Sequence, residues 1–273
     1  MQYSGPGTEL PVYGDGVYIS DSQLGPYNFM ANTPFSFKPT GFITGAGHGS
    51  TIEDAFGNLW HAATMRISIN RNFERRIGIF PAGIDEEGLL YCNQNFSDYP
   101  IVVPEGKFDA RSLLPHYMLL SYNKAAEVSS TFGDHSPQLA LNEDIRTWWC
   151  AQGSKGEWFQ VDLGKVYSPH SIQLNFAEEG IPVKKYANEE TSPLRMGRRY
   201  IDSNHRLKTR YLMEGSVDGH EWFVLHDASM VDTDLTHDYI IMNEEKRTCY
   251  IRITSVEVAY NAKFPYLDYE YLD

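Results

Sequence analysis

The chain contains 273 residues, 42% of them hydrophobic, and carries a formal charge of −13. This length suits two domains, and the hydrophobic content argues against intrinsic disorder. The acidic balance disfavours nucleic acid as a partner, because phosphates require a surplus of lysine and arginine. No apolar run reaches the length of a membrane span, and no signal peptide opens the chain.

Short apolar runs rich in Val, Ile, Tyr and Phe, broken by Gly, Pro, Asn and Asp, predict an all-β protein. Hairpin turns are predicted at 56–58 (FGN), 85–88 (DEEG) and 217–220 (VDGH). The sequence divides into a first domain at 1–107, a connector at 108–118 and a second domain at 119–273. The role of a long polar interruption at 178–208 stays open.

The stretch GAGHGST, Gly45 to Thr51, places one histidine among small residues. Either the glycines cradle a phosphate, or they let other groups approach His48 closely. A phosphate loop requires a preceding strand, a following helix and usually a lysine. Here a predicted hairpin follows and no lysine does, so the small residues predict strands that converge around the His48 imidazole.

Three stretches of the first half carry a family resemblance: YGDGVYISDSQLGPY, GFITGAGHGSTIEDAFGNLWHAATM and FERRIGIFPAGIDEEGLL. They resemble the closing part of a glycoside hydrolase family 43 catalytic domain, which is a five-bladed β-propeller. A whole propeller of that type needs roughly three times as many residues. The resemblance implies a partial propeller of a polysaccharide-degrading, inverting enzyme similar to β-xylosidases and α-arabinofuranosidases, with its upstream blades missing here.

The acid, the base and the third carboxylate of that family lie in the earlier blades. Inversion needs two carboxyl groups roughly 6.5–9.5 Å apart. The acidic side chains of the first half stand at hairpins or beside arginines, and none is expected to replace the missing pair. They are Glu53, Asp54, Glu74, Asp85, Glu86 and Glu87.

The family resemblance also implies substrate-side residues. It places His48 at the propeller centre, beneath the active site and near a bound cation or water. It assigns substrate contact to Arg75 or Arg76 without a choice between them; a surface ion pair with Glu74 is the alternative. His61 is expected to pack within its blade.

The second half contains LSYNKAAEVSS, ALNEDIRTWWCA, GEWFQVDLGK, SIQLNF, YLMEGSVDGHEWFVL and CYIRITSVEV in that order. This string resembles the coagulation factor 5/8 type C (discoidin) domain, also known as carbohydrate-binding module family 32. The resemblance implies a β-sandwich jelly roll that binds carbohydrate through variable loops at one end.

The discoidin resemblance further implies a structural calcium ion. The family's ligand positions fall on Asn142, Asp144, Thr147 and Glu257, and their oxygen atoms suit Ca²⁺. The alternative is a metal-free polar turn in which Asp144 caps backbone N–H groups.

The tryptophans of the second half divide into two groups. Trp158 and Trp222 are predicted to lie in the core, because bulky indoles bury much apolar area. For the pair Trp148 and Trp149, core and sugar-stacking roles both stay open.

The sequence therefore predicts the C-terminal part of a glycoside hydrolase with a carbohydrate-binding accessory domain and an oligo- or polysaccharide partner. The full-length protein is expected to be secreted, periplasmic or attached to the cell surface. The alternatives are a non-catalytic carbohydrate-binding module and a cell-surface adhesion or lipid-binding protein. Because a partial propeller leaves blade edges unpaired, residues 1–107 are predicted to be the less stable half.

Overall fold

All regular secondary structure in the described part of the chain is β-strand, apart from a 3-10 turn at Pro137–Ala140. The computed structural model describes residues 1–70, 72, 74–98, 100–178, 183–184, 200–201, 208–234 and 236–259. The prediction of an all-β protein is therefore confirmed. Most of the polar interruption at 178–208 lies outside the described residues.

The chain divides into two compact units. The first comprises Met1–Ile67 and Asn72–Met118, and the second comprises Ser68–Arg71 and the described chain from Leu119 onward. The strands of the first unit are β1 Gln2–Gly5, β2 Gly14–Ile19, β3 Asn28–Phe29, β4 Ser36–Phe37, β5 Thr44–Glu53, β6 Leu59–Arg66, β7 Arg75–Ile84 and β8 Leu90–Cys92. Those of the second are β9 Ala125–Val128, β10 Trp158–Tyr167, β11 Ser171–Asn175, β12 Val183–Lys184, β13 Tyr200–Ile201, β14 Arg210–Ser216, β15 Phe223–Asp227, β16 His237–Ile241 and β17 Thr248–Glu257.

The first unit contains two four-stranded antiparallel sheets. One follows the order β1-β2-β3 with β4 also paired to β2, and the other is the meander β5-β6-β7-β8. Four antiparallel strands are the size of a propeller blade. One face of the meander packs on an apolar cluster that includes Ile43, Ala63, Met65 and Phe80.

The three predicted hairpins are confirmed by the pairing of β5 with β6, β7 with β8 and β14 with β15. Each turn contains a glycine with positive φ: Gly57 at 77°, Gly88 at 78° and Gly219 at 78°. Such φ values are open to glycine without steric cost. The turn residues therefore set the strand register in both units.

The start of the predicted connector lies on the first unit. The ring of Phe108 meets Trp60 edge-on with ring centroids 5.1 Å apart. Asn93 donates its side-chain N–H groups to the carbonyl oxygens of Ala110, at 2.8 Å, and Leu113, at 2.9 Å. These contacts fasten the segment after β8 to the meander.

The second unit is a β-sandwich. Its five-stranded sheet has the order β15-β14-β17-β10-β9, and a second sheet pairs β11 with β16. Side chains of both sheets share one core, which includes Phe159, Val161, Tyr211, Ile251 and Ile240. Packing two sheets over one apolar layer is the arrangement expected of a jelly roll.

The prediction that Trp158 and Trp222 lie in the core is wrong. Both are only partly buried, and their rings flank the guanidinium of Arg252, whose Cζ lies 5.0 Å and 3.9 Å from the two centroids. Because side chains alternate along β10, Phe159 faces the core and Trp158 faces outward. The core tryptophan is Trp149, which is 3% exposed.

Candidate functional site

The glycine-rich run lies in strand β5, and the backbone of this strand is irregular. Its pairing with β6 shifts register between Gly45 and Gly47 and again between Gly47 and Ser50. Ala46 and His48 have φ angles of 93° and 55°, which cost a non-glycine residue on the order of 1–2 kcal/mol each. β-Bulges change the direction in which side chains point, and residues with strained backbone are often found at functional sites. The His48 side chain is left exposed to solvent.

The glycines make room for a histidine other than His48. A Cβ atom on Gly49 would lie 2.4 Å from Nε2 of His61 and 2.5 Å from Oδ2 of Asp15. The expectation that small residues crowd around the His48 imidazole is therefore wrong. The imidazole that the glycine admits belongs to His61, which is fully buried, whereas the substrate role of His48 stays a prediction.

His61 and Asp15 form a buried pair, with Nε2 and Oδ2 3.1 Å apart. On its other side, His61 Nδ1 lies 3.0 Å from the hydroxyl of Thr51. The Asp15 carboxylate also accepts from the Ser4 hydroxyl at 2.5 Å and from the Gly49 N–H at 2.8 Å. A buried carboxylate needs several donors of this kind to offset its lost hydration.

Arg75 is engaged by the protein itself. Its guanidinium donates to the carbonyl oxygens of Thr8, Asn72 and Glu74. Burial lowers the pKa of Arg75, and the negative charge of Glu9 opposes that shift only in part. These contacts tie β7 to the loop after β1, so the proposed contact of Arg75 with substrate stays a prediction.

Arg76 forms the ion pair that was the alternative to substrate contact. Its guanidinium donates to the Glu74 carboxylate and to the carbonyl oxygen of Arg75, the latter at 2.8 Å. The Arg76 side chain is 42% exposed. The Glu74 side chain is only 18% exposed, and the proposed contact of Arg76 with substrate stays a prediction.

Asp54 caps the turn of the first hairpin. Desolvation raises the pKa of Asp54, but hydrogen bonds from the Trp60 indole, from the Asn58 side chain and backbone and from the Phe56 backbone outweigh it and lower the pKa to about 2. A group of this pKa is a poor general acid near neutral pH. Asp54 therefore stabilises the turn.

A second capping carboxylate lies in the β7–β8 hairpin. Asp85 accepts from the backbone N–H groups of Glu87 and Leu89 at 3.1 and 2.8 Å, and it pairs with Arg111 at 3.2 Å. It therefore has the structural role expected of an acid at a hairpin tip.

Three of the four predicted calcium ligands converge in the turn after Ala140. The Thr147 hydroxyl oxygen lies 3.2 Å from the Leu139 carbonyl, 3.2 Å from the Asn142 side-chain oxygen and 3.1 Å from the Asp144 carbonyl. One hydroxyl hydrogen serves at most one of these three acceptors at a time. These oxygens also accept from N–H groups: Asn142 Nδ2 donates to the Thr147 hydroxyl at 2.9 Å, the Asp144 N–H to the Asn142 side-chain oxygen at 3.0 Å and the Thr147 N–H to the Asp144 carbonyl at 2.9 Å. Oxygen atoms of this kind suit a hard cation such as Ca²⁺, but the turn is also closed by its own hydrogen bonds, so the calcium ion stays a prediction.

The contribution of Asp144 differs from the predicted one. Its carbonyl oxygen joins the cluster, but its carboxylate accepts from the Arg146 backbone N–H at 3.0 Å, as the metal-free alternative predicts, and from Arg146 Nε and Nη2 at 2.7 and 2.6 Å. This hydrogen bonding from Arg146 lowers the pKa of Asp144. The Leu139 carbonyl is a ligand candidate that side-chain patterns could not reveal.

Glu257, the fourth predicted ligand, pairs with Arg210 Nη1 at 2.6 Å. Among the described residues, no group of three or more His, Cys, Asp and Glu side chains is placed to hold a metal. The oxygen cluster therefore depends on neutral carbonyl, amide and hydroxyl groups.

The tryptophan pair beside this turn is divided between core and surface. Trp149 is buried, and its indole N–H donates to the Ser130 carbonyl at 3.1 Å. Trp148 is partly exposed and stacks on His135, with ring centroids 5.2 Å apart and an interplanar angle of 26°. The Trp148 indole N–H is buried and has no hydrogen-bond acceptor. This ring pair keeps the sugar-stacking role open for Trp148 alone.

No helix in the described part of the chain could cross a membrane.

Neither the family models nor the curated proteins give a match to the chain. Among solved structures, it is similar to a glycoside hydrolase with 16% identity, a TM-score of 0.43 and coverage of 94% of this chain and 54% of that chain. It is also similar to chitosan-binding module 1 of a chitosanase/glucanase from Paenibacillus sp. IK-5 (18% identity, 51% of this chain and 88% of that chain, TM-score 0.36). A third similar structure is the family 32 carbohydrate-binding module of Clostridium perfringens NanJ in complex with galactose (15% identity, 51% and 86%, TM-score 0.37). The chain thus spans about half the length of that glycoside hydrolase.

Proposed function

We propose that this chain is part of a polysaccharide-degrading glycoside hydrolase. The first unit would supply the final blades of a family 43-type propeller, with β-xylosidase or α-arabinofuranosidase-like inverting chemistry. The observation that carries the proposal is the doubly bulged strand β5, which presents His48 at a strained and exposed position. Both nitrogens of an imidazole are able to form hydrogen bonds, so the exposed His48 side chain is suited to contact sugar hydroxyls.

An exposed apolar sheet face supports the presence of further blades in the complete enzyme. Ile52, Ile77 and Ile79 are 60%, 78% and 46% exposed. The register of β5, β6 and β7 places them on the same face of the meander. Contiguous apolar side chains on a sheet mark a surface that another element covers. Upstream blades, which would also bring the acid and base, are the proposed cover.

We propose that the second unit binds carbohydrate and holds a structural calcium ion. The ligands would be the carbonyl oxygens of Leu139 and Asp144, the Asn142 side-chain oxygen and the Thr147 hydroxyl, with Glu257 supplying negative charge. Such an ion would fix the turn that directly precedes Trp148. The Trp148–His135 ring pair is the proposed sugar platform. A second cation near His48 stays a prediction.

The test is to measure binding and hydrolysis of xylohexaose and arabinoxylan by the full chain. We expect binding without hydrolysis, because Asp54, Glu74 and Asp85 cap turns or pair with arginines. Trp148→Ala should weaken binding, and Trp222→Ala, on the outer sheet face, is the matched control. Hydrolysis by this chain would contradict the placement of the acid and base upstream, and failure to bind glycans would contradict the carbohydrate role.

A non-catalytic binding or adhesion module is the second candidate, favoured by the engagement of those same carboxylates. The coding sequence upstream of Met1 distinguishes the two. Further blades with acidic residues support the enzyme, which would act outside the cytoplasm. An in-frame stop codon close upstream supports the binding module.

A further inference from the structure

Asp15 is an unusual residue for the inside of a sheet protein. It is 1% exposed, yet it carries a carboxyl group. The Ser4 hydroxyl meets Oδ1, while the Gly49 N–H and His61 Nε2 meet Oδ2. Burying a carboxylate is costly even when donors surround it, and an apolar side chain would pack at lower cost. The donors connect Asp15 to β1, β5 and β6 at once.

Two of these connections act on consecutive backbone N–H groups in the distorted part of β5. The Gly49 N–H donates directly to Asp15, and the His48 N–H donates at 2.9 Å to the Ser4 hydroxyl that Asp15 itself accepts. Upstream, the Ala46 carbonyl accepts from the Ser36 hydroxyl at 2.9 Å. Strained backbone persists only where surrounding contacts over-determine it.

We propose that Asp15 is a positioning residue for His48. Through the Ser4 hydroxyl and the Gly49 N–H it holds His48 at positive φ, and this conformation aims the exposed imidazole at a saccharide hydroxyl. The identity of the ligand rests on the proposed function, whereas the control of the His48 backbone does not. The buried partner His61 contacts the same Oδ2 atom that accepts from the Gly49 N–H, and it helps to fix the carboxylate.

The carboxylate geometry determines which variants are informative. Asp15→Ala removes the acceptor of three donors at once. Asp15→Asn keeps an oxygen for Gly49 and His61, and its NH₂ group faces the Ser4 oxygen, which also accepts hydrogen bonds. Ser4→Ala removes the acceptor of the His48 N–H together with one donor to the Asp15 carboxylate, and it leaves the contacts of Asp15 with Gly49 and His61 in place. Ser50→Ala removes an exposed hydroxyl from the same strand and is the control.

The experiment is NMR on the labelled full chain. The three-bond HN–Hα coupling of His48 reports its φ angle, and the imidazole Cε1–H signal of His48 reports contact with added xylohexaose. We expect Asp15→Ala and Ser4→Ala to change the coupling and weaken xylohexaose binding by about fivefold or more. Asp15→Asn should restore most of both, and Ser50→Ala should leave both unchanged.

If Asp15→Ala does not fold, Ser4→Ala alone decides. An unchanged His48 coupling in Ser4→Ala overturns the positioning role, whatever happens to binding. A changed coupling in a chain whose wild type does not bind xylohexaose or arabinoxylan supports the positioning role and overturns the saccharide assignment. A changed coupling with unchanged xylohexaose affinity overturns the claim that the backbone aims the imidazole.

Discussion

The outward sheet faces of the two units differ in how their apolar side chains are covered. On the meander of the first unit, Ile77 and Ile79 stand 78% and 46% exposed. On the five-stranded sheet of the second unit, Trp158 and Trp222 enclose the Arg252 guanidinium. A guanidinium between two indoles covers apolar rings while keeping a charged edge toward water.

The difference is between a sheet face that carries a charged guanidinium between its aromatic rings and a sheet face whose exposed isoleucines are suited to contact with another protein element. The second unit covers part of this face with its own side chains, although Val224 on the same face is 47% exposed. The first unit leaves an apolar face that lowers its stability when nothing covers it. The proposal of further propeller blades depends on this contrast, which the following predictions test from the largest expected effect to the smallest.

Gly49→Ala should be the most damaging small change in the first unit. Its Cβ would lie 2.4 Å from the buried His61 ring, and such overpacking costs about 3 kcal/mol of unfolding free energy. Urea denaturation measures the loss. Gly106→Ala, where a Cβ meets no atom within 4 Å, is the control, and an equal effect of both changes would contradict the close approach at Gly49.

Calcium should stabilise the second unit alone. Binding at a hundredfold excess over Kd contributes about 2.7 kcal/mol, so EDTA should lower the Tm of that unit. Thr147→Val should abolish the difference, because it removes the oxygen at the centre of the cluster. Thr254→Val on β17 serves as the matched control. A Tm that is the same with calcium and with EDTA would favour the metal-free turn.

Arg252→Ala should destabilise the second unit by about 1–2 kcal/mol, because it removes contacts with two rings and two hydrogen bonds to Gln160, at 3.1 and 2.7 Å. Arg247→Ala, an exposed arginine on the loop before β17, is the control. If the two variants have equal unfolding free energies in urea, the Arg252 guanidinium does not stabilise the second unit.

The stability of the first hairpin should depend on acid. Asp54 has its pKa lowered from 3.8 to about 2, so its contribution is fully present above pH 3.8 and is lost as the pH falls toward 2. Asp54→Asn should flatten this part of the stability profile, measured by urea denaturation across that range. A profile identical to that of the wild type would assign the acid dependence to other groups.

Ile77→Lys should change the unfolding free energy by no more than about 0.5 kcal/mol, because the side chain is already exposed. The same change should reduce self-association in sedimentation experiments, since it removes part of the apolar face. Ile43→Lys, inside the core of the first unit, is the destabilising counterpart. A large loss of stability from Ile77→Lys would break the contrast between the two faces.

Particular residues show how far the sequence predicts this structure. The hairpins were predicted correctly because turn formation depends on residues that are neighbours in the sequence. The alternation that places Val161 and Leu163 inward also places Trp158 outward, so that signal was present and outweighed by the general preference of indoles for burial. Crowding by glycine was predicted for the His48 imidazole and is found at His61 instead, because the register that brings His61 opposite Thr51 is a property of strand pairing.

The candidate sites show the same limit. The discoidin resemblance predicted the oxygen-rich turn at Asn142 and Thr147. The carbonyl oxygen of Leu139 could not be predicted, because every residue carries one and only the folded backbone directs it. Asp15 was missed because its role depends on donors that three strands bring together.

Native-state hydrogen exchange of the full chain tests the contrast between the units most directly. The amides of β5, β6 and β7, whose outer face is left exposed around Ile77 and Ile79, should exchange faster than those of β10, β14 and β17 in the sandwich. Faster exchange in the first unit is the predicted result, because its uncovered apolar face lowers the free energy of local opening. Equal protection in both sets of strands would contradict the claim that the first unit is built to be covered by further blades.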